Sequence, residues 1–200
     1  MSPDTGQDPN NQPVPHGDTL SVINGAKCKV VGQGRVRPCG YGARGASPRR
    51  RGGGPGHRHR YVANTHDGTS ASGPGTVSVV DGSRCNGTRP SGCASQPERH
   101  VTVGRDPIGV AVDPGNHSVY VTNPLDDTVS VVNAKTCNRS RTSGCDTRPP
   151  TIAVAGAPSW AVVDAARHTV YVPDTVDNSV AVLGDLNCNA GSSVGCRHPA

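Results

Sequence analysis

The 200-residue sequence contains no Phe, one Trp, one Met and only four Tyr. A hydrophobic core must therefore come from Val, Ile, Leu and Ala, and these small or β-branched side chains favour pleated sheets over helix bundles. The 26 Gly and 18 Pro predict frequent turns and argue against long helices. No run of 18 apolar residues occurs, so the sequence predicts no membrane-spanning segment.

Groups for acid–base catalysis are also scarce. Glu98 is the only Glu, and the chain has no Gly-x-Ser-x-Gly, His-Glu-x-x-His or P-loop motif. We therefore predict that the protein is not an enzyme, with no catalytic residues, no metal and no cofactor. Residues 1–17 lack the charged and apolar regions of a secretory signal, and we expect them to be disordered.

Most of the remaining sequence is repetitive. The segment PIGVAVDPGNHSVYVTNPLDDTVSVVNAKTC at 107–137 aligns with PSWAVVDAARHTVYVPDTVDNSVAVLGDLNC at 158–188. An earlier copy covers 61–106, and a partial copy, DTLSVINGAKC, covers 18–28. Equivalent residues of the last two copies lie 51 positions apart: Tyr120 and Tyr171, His117 and His168, Cys137 and Cys188. Because a catalytic histidine should be unique to one copy, we assign the two histidines a role in turns.

Each full copy predicts four short strands. Valine pairs such as Val119 and Val121 flank one residue, which is the period-two spacing of a half-buried strand. Four antiparallel strands repeated every 40–50 residues are typical of a β-propeller. We therefore predict an all-β fold, a partial β-propeller of four-stranded antiparallel blades of about 51 residues in an incomplete ring. Its blades span 61–106, 107–157 and 158–200, and 18–28 is the remnant of another.

The motifs YVAN, YVTN and YVPD, each followed by TVSVV or a variant, closely resemble the YVTN family of β-propeller repeats. The resemblance covers 61–196 well and 18–28 in part, and it departs at Asp174, where the family motif has Asn. Family members are often secreted or surface-associated bacterial and archaeal proteins. Some are described as DNA-binding proteins, and most have no assigned activity.

Two cysteines bracket a polar loop of seven residues in each copy: Cys85 and Cys93, Cys137 and Cys145, Cys188 and Cys196. Common zinc sites pair cysteines two to four residues apart, so this spacing favours a disulfide across each loop. Such a bridge stabilises by about 2–3 kcal/mol in the chain-entropy model. Free thiols and metal or redox chemistry stay open. Three bridges indicate an oxidising compartment, so we predict an extracellular or cell-surface protein.

Positive charge is concentrated in residues 29–60, which hold nine basic residues, no acidic residue and no strand pattern. We expect this Arg/Gly/Pro-rich segment to be disordered. Its length nevertheless keeps the register of a blade, which favours a blade translated in a shifted reading frame. A nucleic-acid-binding arm and an ordinary linker stay open.

One face of a propeller collects the loops between second and third strands and the junctions between blades, and we predict the ligand site there. The candidates are Asn64, Arg105, Asp106, Asn123, Asp126, Asp127, Trp160, Asp174 and Asp177. Trp160 replaces Gly109 of the preceding copy, either as a stacking platform or as a filler between blades. The aspartates fit turns as well as cation binding.

These features favour a non-catalytic repeat protein, a binding or scaffold module of a larger propeller. Its partner would be a protein, a glycan or a small ligand. Three repeats cannot close a ring alone, so exposed blade edges predict self-association. A nucleic-acid-binding propeller and a propeller-type lyase or lactonase stay open as alternatives.

Overall fold

The structure of the protein, a computed structural model, describes residues 59–65, 73–86, 89, 91–94, 99–138, 140–186 and 189. The predictions for 1–17 and 18–28, nearly all of the basic segment 29–60, and the third cysteine pair, Cys188 and Cys196, lie outside the described residues.

The described residues form strands and one helical turn. The elements are β1 (His59–Asn64), β2 (Pro74–Asp81), α1 (Ser91–Ala94), β3 (His100–Arg105), β4 (Gly109–Asp113), β5 (Ser118–Asn123), β6 (Thr128–Asn133), β7 (Thr151–Ala153), β8 (Val162–Asp164), β9 (Thr169–Asp174) and β10 (Ser179–Gly184). Alternation of β-branched residues with small or polar ones makes each strand suited to a pleated ladder.

These strands make three antiparallel sheets in which neighbours in the chain are neighbours in space. The first sheet holds β1, β2 and β3, the second holds β4 to β7, and the third holds β8, β9 and β10. The second sheet contains all four strands predicted for a repeat, with Tyr120 opposite both Ala111 and Val131. The predicted all-β class and its blade-like antiparallel sheets are confirmed.

One boundary of the predicted segments is wrong. Strand β1 begins at His59, two residues inside the segment predicted to be disordered. His59 pairs with Asp81 and Arg60 with Val80. The partner strand β2 extends to Asp81, so its last two residues can form ladder hydrogen bonds with His59 and Arg60. These bonds hold the two polar residues in a strand.

The repeat is visible in the backbone as well as in the side chains. Left-handed φ angles occur at non-glycine residues in pairs 51 positions apart: Asp106 (55°) and Ala157 (53°), His117 (62°) and His168 (52°), Asp127 (52°) and Asn178 (51°). Asp, Asn and His tolerate this conformation better than most residues. His117 and His168 therefore occupy equivalent turns, as their repetition predicts.

The core consists of two valine-rich layers between consecutive sheets. We call the side of a sheet that faces the next sheet its forward flank, and the opposite side its rear flank. The first layer joins the forward flank of the first sheet (Tyr61, Val77, Val79, Val101, Val103) to the rear flank of the second (Val110, Val119, Val121, Val132). The second layer joins Tyr120, Val129, Val131, Ile152 and Val154 to Val170, Val172, Ala181 and Leu183. Full burial of each valine stabilises by about 1.5–3 kcal/mol.

Two of the predicted disulfides are present. Cys85 bonds Cys93, and Cys137 bonds Cys145. Cys137 and Cys145 are buried and belong to the first valine layer. The Tyr61 hydroxyl donates to the Cys137 carbonyl over 2.9 Å, so the first sheet is tied directly to the second disulfide loop.

Candidate functional site

The asparagine of the YVTN-like motif is a structural residue. Asn123 donates its amide hydrogens to Thr128 Oγ1 (3.1 Å) and Ser130 Oγ (2.9 Å), and its Oδ1 accepts from the Gly104 amide of the preceding sheet (3.1 Å). Asn64 makes the same two donor contacts within the first sheet, to residues 76 and 78. Both side chains use their polar atoms to hold strands together.

The turn carboxylates link one sheet to the preceding one. Asp126 Oδ2 accepts from the Arg105 amide over 2.7 Å, and Asp177 Oδ2 accepts from the Gly156 amide over 3.1 Å. Arg105 and Gly156 are equivalent residues 51 positions apart. We expected these aspartates to bond the backbone of their own turns, but their carboxylates reach across to the neighbouring sheet.

Arg105 and Asp126 also form an ion pair through the guanidinium Nε. Desolvation acts to raise the pKa of Asp126, but hydrogen bonds and charge from Arg105 outweigh it and lower that pKa. A second guanidinium nitrogen donates to the Leu125 carbonyl. Three predicted ligand-face residues, Arg105, Asn123 and Asp126, are therefore brought together at one junction.

The other predicted aspartates have different environments. Asp127 Oδ1 accepts from the Ala157 amide over 2.8 Å. Asp106 occupies a left-handed turn next to the first junction. Asp174 is only 1% exposed, so it lies inside the fold. None of these contacts shows whether a ligand binds, so the ligand site on this face stays a prediction.

Trp160 is 41% exposed at the entry to the third sheet. A Cβ added to its equivalent, Gly109, would lie 2.8 Å from the Ser159 carbonyl oxygen and 3.2 Å from the Trp160 Cα. The second sheet therefore needs glycine at this position because the third sheet packs closely against it. No described sheet follows the third, which leaves room for the indole.

The forward flank of the third sheet is an apolar surface that we did not assign to particular residues from the sequence. Tyr171, Val180 and Val182 are 36%, 53% and 40% exposed. The residues at the same positions of the second sheet, Tyr120, Val129 and Val131, are at most 1% exposed. Alignment of the repeats identifies the equivalent positions in each sheet. Only the direction in which the sheets stack shows that these positions of the third sheet face outwards.

A buried carboxylate pair at the second junction was also not predicted from the sequence. Asp113 is the last residue of β4 in the second sheet, Asp185 directly follows β10 of the third, and their exposures are 1% and 0%. Burial, then the hydrogen bond and negative charge of Asp113, raise the pKa of Asp185 to about 6. His168 Nδ1 lies 3.3 Å from Asp185 Oδ1 and acts in the opposite direction. The same carboxylates help to raise the pKa of the buried Tyr120 to about 12, for which desolvation is the main cause.

Neither a metal centre nor a membrane span is found among the described residues. No cluster of three or more His, Cys, Asp or Glu side chains within them is arranged to hold a metal ion. In the same part of the chain, no helix is long and apolar enough to cross a membrane.

The three stacked antiparallel sheets define the class of the protein, an all-β fold of β-propeller blades, three of which lie within the described residues. No protein-family model matches the chain. Over 32 residues it is 66% identical to the PE-PGRS family protein PE_PGRS18 of Mycobacterium tuberculosis (strain ATCC 25618 / H37Rv). This stretch covers 16% of the chain but only 7% of that relative.

Two solved structures are similar over part of the chain. Hydrazine synthase of Kuenenia stuttgartiensis matches with a TM-score of 0.43 and 12% identity, over 63% of this chain and 41% of that one. Apo AztD from Citrobacter koseri matches with a TM-score of 0.37 and 17% identity, over 64% of this chain and 29% of that one. The chain thus spans less than half the length of either protein.

Proposed function

We propose that this chain is a non-catalytic propeller module of the YVTN kind that works by binding, and that its open forward flank binds a second copy of the chain. The observation that carries this proposal is the exposure of three apolar positions in the third sheet. The residues at these positions in the other two sheets, from Tyr61 and Tyr120 onwards, are buried against the following sheet. The forward flanks of the first and second sheets each pack against the following sheet. The equivalent flank of the third sheet therefore has the shape and chemistry to pack against one more sheet.

The rear flank of the first sheet fits this role. Within the chain, the forward flank of the first sheet packs on the rear flank of the second sheet, which includes Val119, Val121 and Val132. The first sheet has Val62 and Val80 at the last two of these positions, both partly exposed, and Arg60 at the first. The described sheets of two copies joined in this head-to-tail way number six, within the range of four to eight that closes a propeller.

The tyrosine hydroxyls support the same arrangement. Tyr61 donates to the Cys137 carbonyl of the next sheet over 2.9 Å. Tyr171 is the equivalent donor of the third sheet, and Cys85 of the first sheet is the equivalent of Cys137. In the proposed dimer Tyr171 of one copy donates to the Cys85 carbonyl of the other. The bulk of Trp160 requires this interface to be wider at one end than those within the chain.

We place the module outside the cytoplasm. The two disulfides are compatible with an oxidising compartment, and they close the loops that border the first two sheets. The resemblance to the YVTN family points in the same direction.

The dimer is tested by sedimentation velocity over a range of concentrations. We expect the wild-type chain to associate, and Val180→Lys to sediment as a monomer because a charge would be buried in the interface. Leu125→Lys is the matched control, since Leu125 is an apolar residue of similar exposure (50%) away from the open flank. The fluorescence of Trp160, the only tryptophan, should shift to the blue as the wild-type chain associates.

Arg60→Val supplies a test in the opposite direction. Valine is the residue found at this position in the other two sheets, where Val119 and Val170 are fully buried. The substitution should therefore tighten the dimer. A wild-type chain that stays monomeric at all concentrations, or equal dissociation by Val180→Lys and Leu125→Lys, would contradict the proposed interface.

A further inference from the structure

A groove of about 340 Å³ lies between the first and second sheets, on the side opposite the predicted ligand face. His59 and Tyr61 of β1 form one wall. The other wall comes from the β4–β5 turn with His117 and from the second disulfide loop with Lys135 and Arg141. The groove is open enough for a small ligand to enter, and its walls belong to different sheets.

The charge of this groove is mainly positive. Neither Lys135 nor Arg141 makes an ion pair with any residue in the described part of the chain. The one acidic residue of the lining, Asp113, is buried at 1% exposure. One of its oxygens accepts from the Gly115 amide over 2.7 Å, and its carboxyl group interacts with Asp185 at the next junction. The accessible groups of permanent charge in the lining are therefore the two cations.

The backbone that carries these cations is firmly held. The Asn138 Oδ1 accepts from the amides of Ser140 and Arg141, both over 2.9 Å. Its amide group donates to the carbonyls of Ala134 (2.8 Å) and Lys135 (3.1 Å). The disulfide from Cys137 closes the same loop. The backbone positions of Lys135 and Arg141 are therefore already fixed relative to each other. A ligand that bridges their side chains has to order those side chains but not the loop, which lowers the entropic cost of binding.

The corresponding place at the second junction has a different character. Asp185 and Leu186 stand where the first junction has Ala134 and Lys135. His168, the equivalent of His117, lies 3.3 Å from the Asp185 carboxylate. The backbone geometry repeats, but the cationic lining does not. A feature that the repeat itself does not require is a candidate for a function of its own.

We propose that the groove binds a small organic phosphate or sulfate ester. The oxyanion is held between the Lys135 ammonium and the Arg141 guanidinium, whose fork suits tetrahedral oxyanions. The organic part lies against Tyr61 and Val112 of the same groove. This site is independent of the open forward flank, which belongs to the third sheet.

The experiment is a titration of the ¹⁵N-labelled 200-residue chain with phenyl phosphate and phenyl sulfate, followed by NMR and calorimetry. We expect saturable binding with shifts at the second disulfide loop. Lys135→Gln and Arg141→Gln should each weaken binding at least tenfold. Arg148→Gln is the matched control, because it removes an exposed arginine outside this groove. Inorganic phosphate should bind more weakly than phenyl phosphate, since it lacks the apolar group.

A second variant transfers the chemistry of one junction to the other. Ala134→Asp combined with Lys135→Leu copies the residues of the second junction and should abolish binding while the disulfide and sheets remain. Equal weakening by all three single substitutions, or no saturation by either ester, would overturn the proposal. Sedimentation of the same variants separates the two proposals, since these substitutions should leave the dimer intact.

Discussion

The junction between the first and second sheets and the junction between the second and third share one backbone scheme. In each, an aspartate in the later sheet accepts from a backbone amide of the earlier one: Asp126 from Arg105, and Asp177 from Gly156. The side chains on the opposite edge differ. The first junction has a cationic groove with Lys135, whereas the second has the buried Asp185 beside His168.

This contrast separates structural residues from functional candidates. Contacts that are made at both junctions by equivalent residues, 51 positions apart, are explained by the stacking of one sheet on the next. Asp126 and Asp177, two of the predicted ligand-face residues, make contacts of this kind. The unrepeated charges have no such explanation, so the groove and the open flank are the better places to look for binding.

The largest effect should come from the valines that distinguish a covered flank from an open one. Val129 is fully buried, and its equivalent Val180 is 53% exposed. We expect Val129→Ala to lower the free energy of unfolding by about 2 kcal/mol through lost burial and a small cavity. Val180→Ala should cost less than about 0.5 kcal/mol when the chain is monomeric.

Urea denaturation at low protein concentration measures this difference. Similar losses for both alanine variants would mean that the third sheet is covered in solution by something other than a second copy.

A pH-dependent effect of intermediate size should come from Asp185 at the second junction. Its pKa in the folded state, about 6, lies above the ordinary carboxyl value of 3.8, so the folded chain binds the proton more tightly. The stability that this group contributes is therefore complete below pH 4 and is lost as the pH rises through about 6. Asp185→Asn should raise stability at pH 7.5, by between about 1 and 2 kcal/mol, and change it little at pH 4.

Unfolding midpoints from pH 4 to pH 8 provide the measurement. Asp146→Asn, at an exposed carboxylate, is the control and should run parallel to the wild type. Asp126, whose pKa is lowered, acts with the opposite sign because its contribution is lost as the pH falls, so only the difference between Asp185→Asn and wild type isolates the pair. Parallel curves for all three proteins would show that Asp185 does not titrate in this range.

The smallest effect concerns the tyrosine hydroxyls. Tyr61→Phe removes a buried hydrogen bond to the Cys137 carbonyl and should cost about 1 kcal/mol. Tyr171→Phe should leave the stability of the monomer unchanged but weaken the proposed dimer. Thermal unfolding and sedimentation of the two variants distinguish these outcomes. A loss of monomer stability with Tyr171→Phe would indicate that its hydroxyl already has a partner within the chain.

Sequence patterns predicted much of the fold but little of the site. The period-two valines located the strands of the second sheet, and the cysteine spacing located the two bridges, because both signals depend on nearby residues. The start of β1 was missed because His59 and Arg60 show no strand pattern of their own. They are held there by pairing with β2.

The repeated sequence by itself determined the strand pattern, the left-handed turns at His117 and His168, and the cysteine pairs, since each of these follows from local chain chemistry. Only the tertiary structure decided which valines face a neighbour, which carboxylates reach another sheet, and that Asp113 lies beside Asp185. These properties depend on how one sheet stacks on the next, and that geometry joins residues separated by a whole repeat or more.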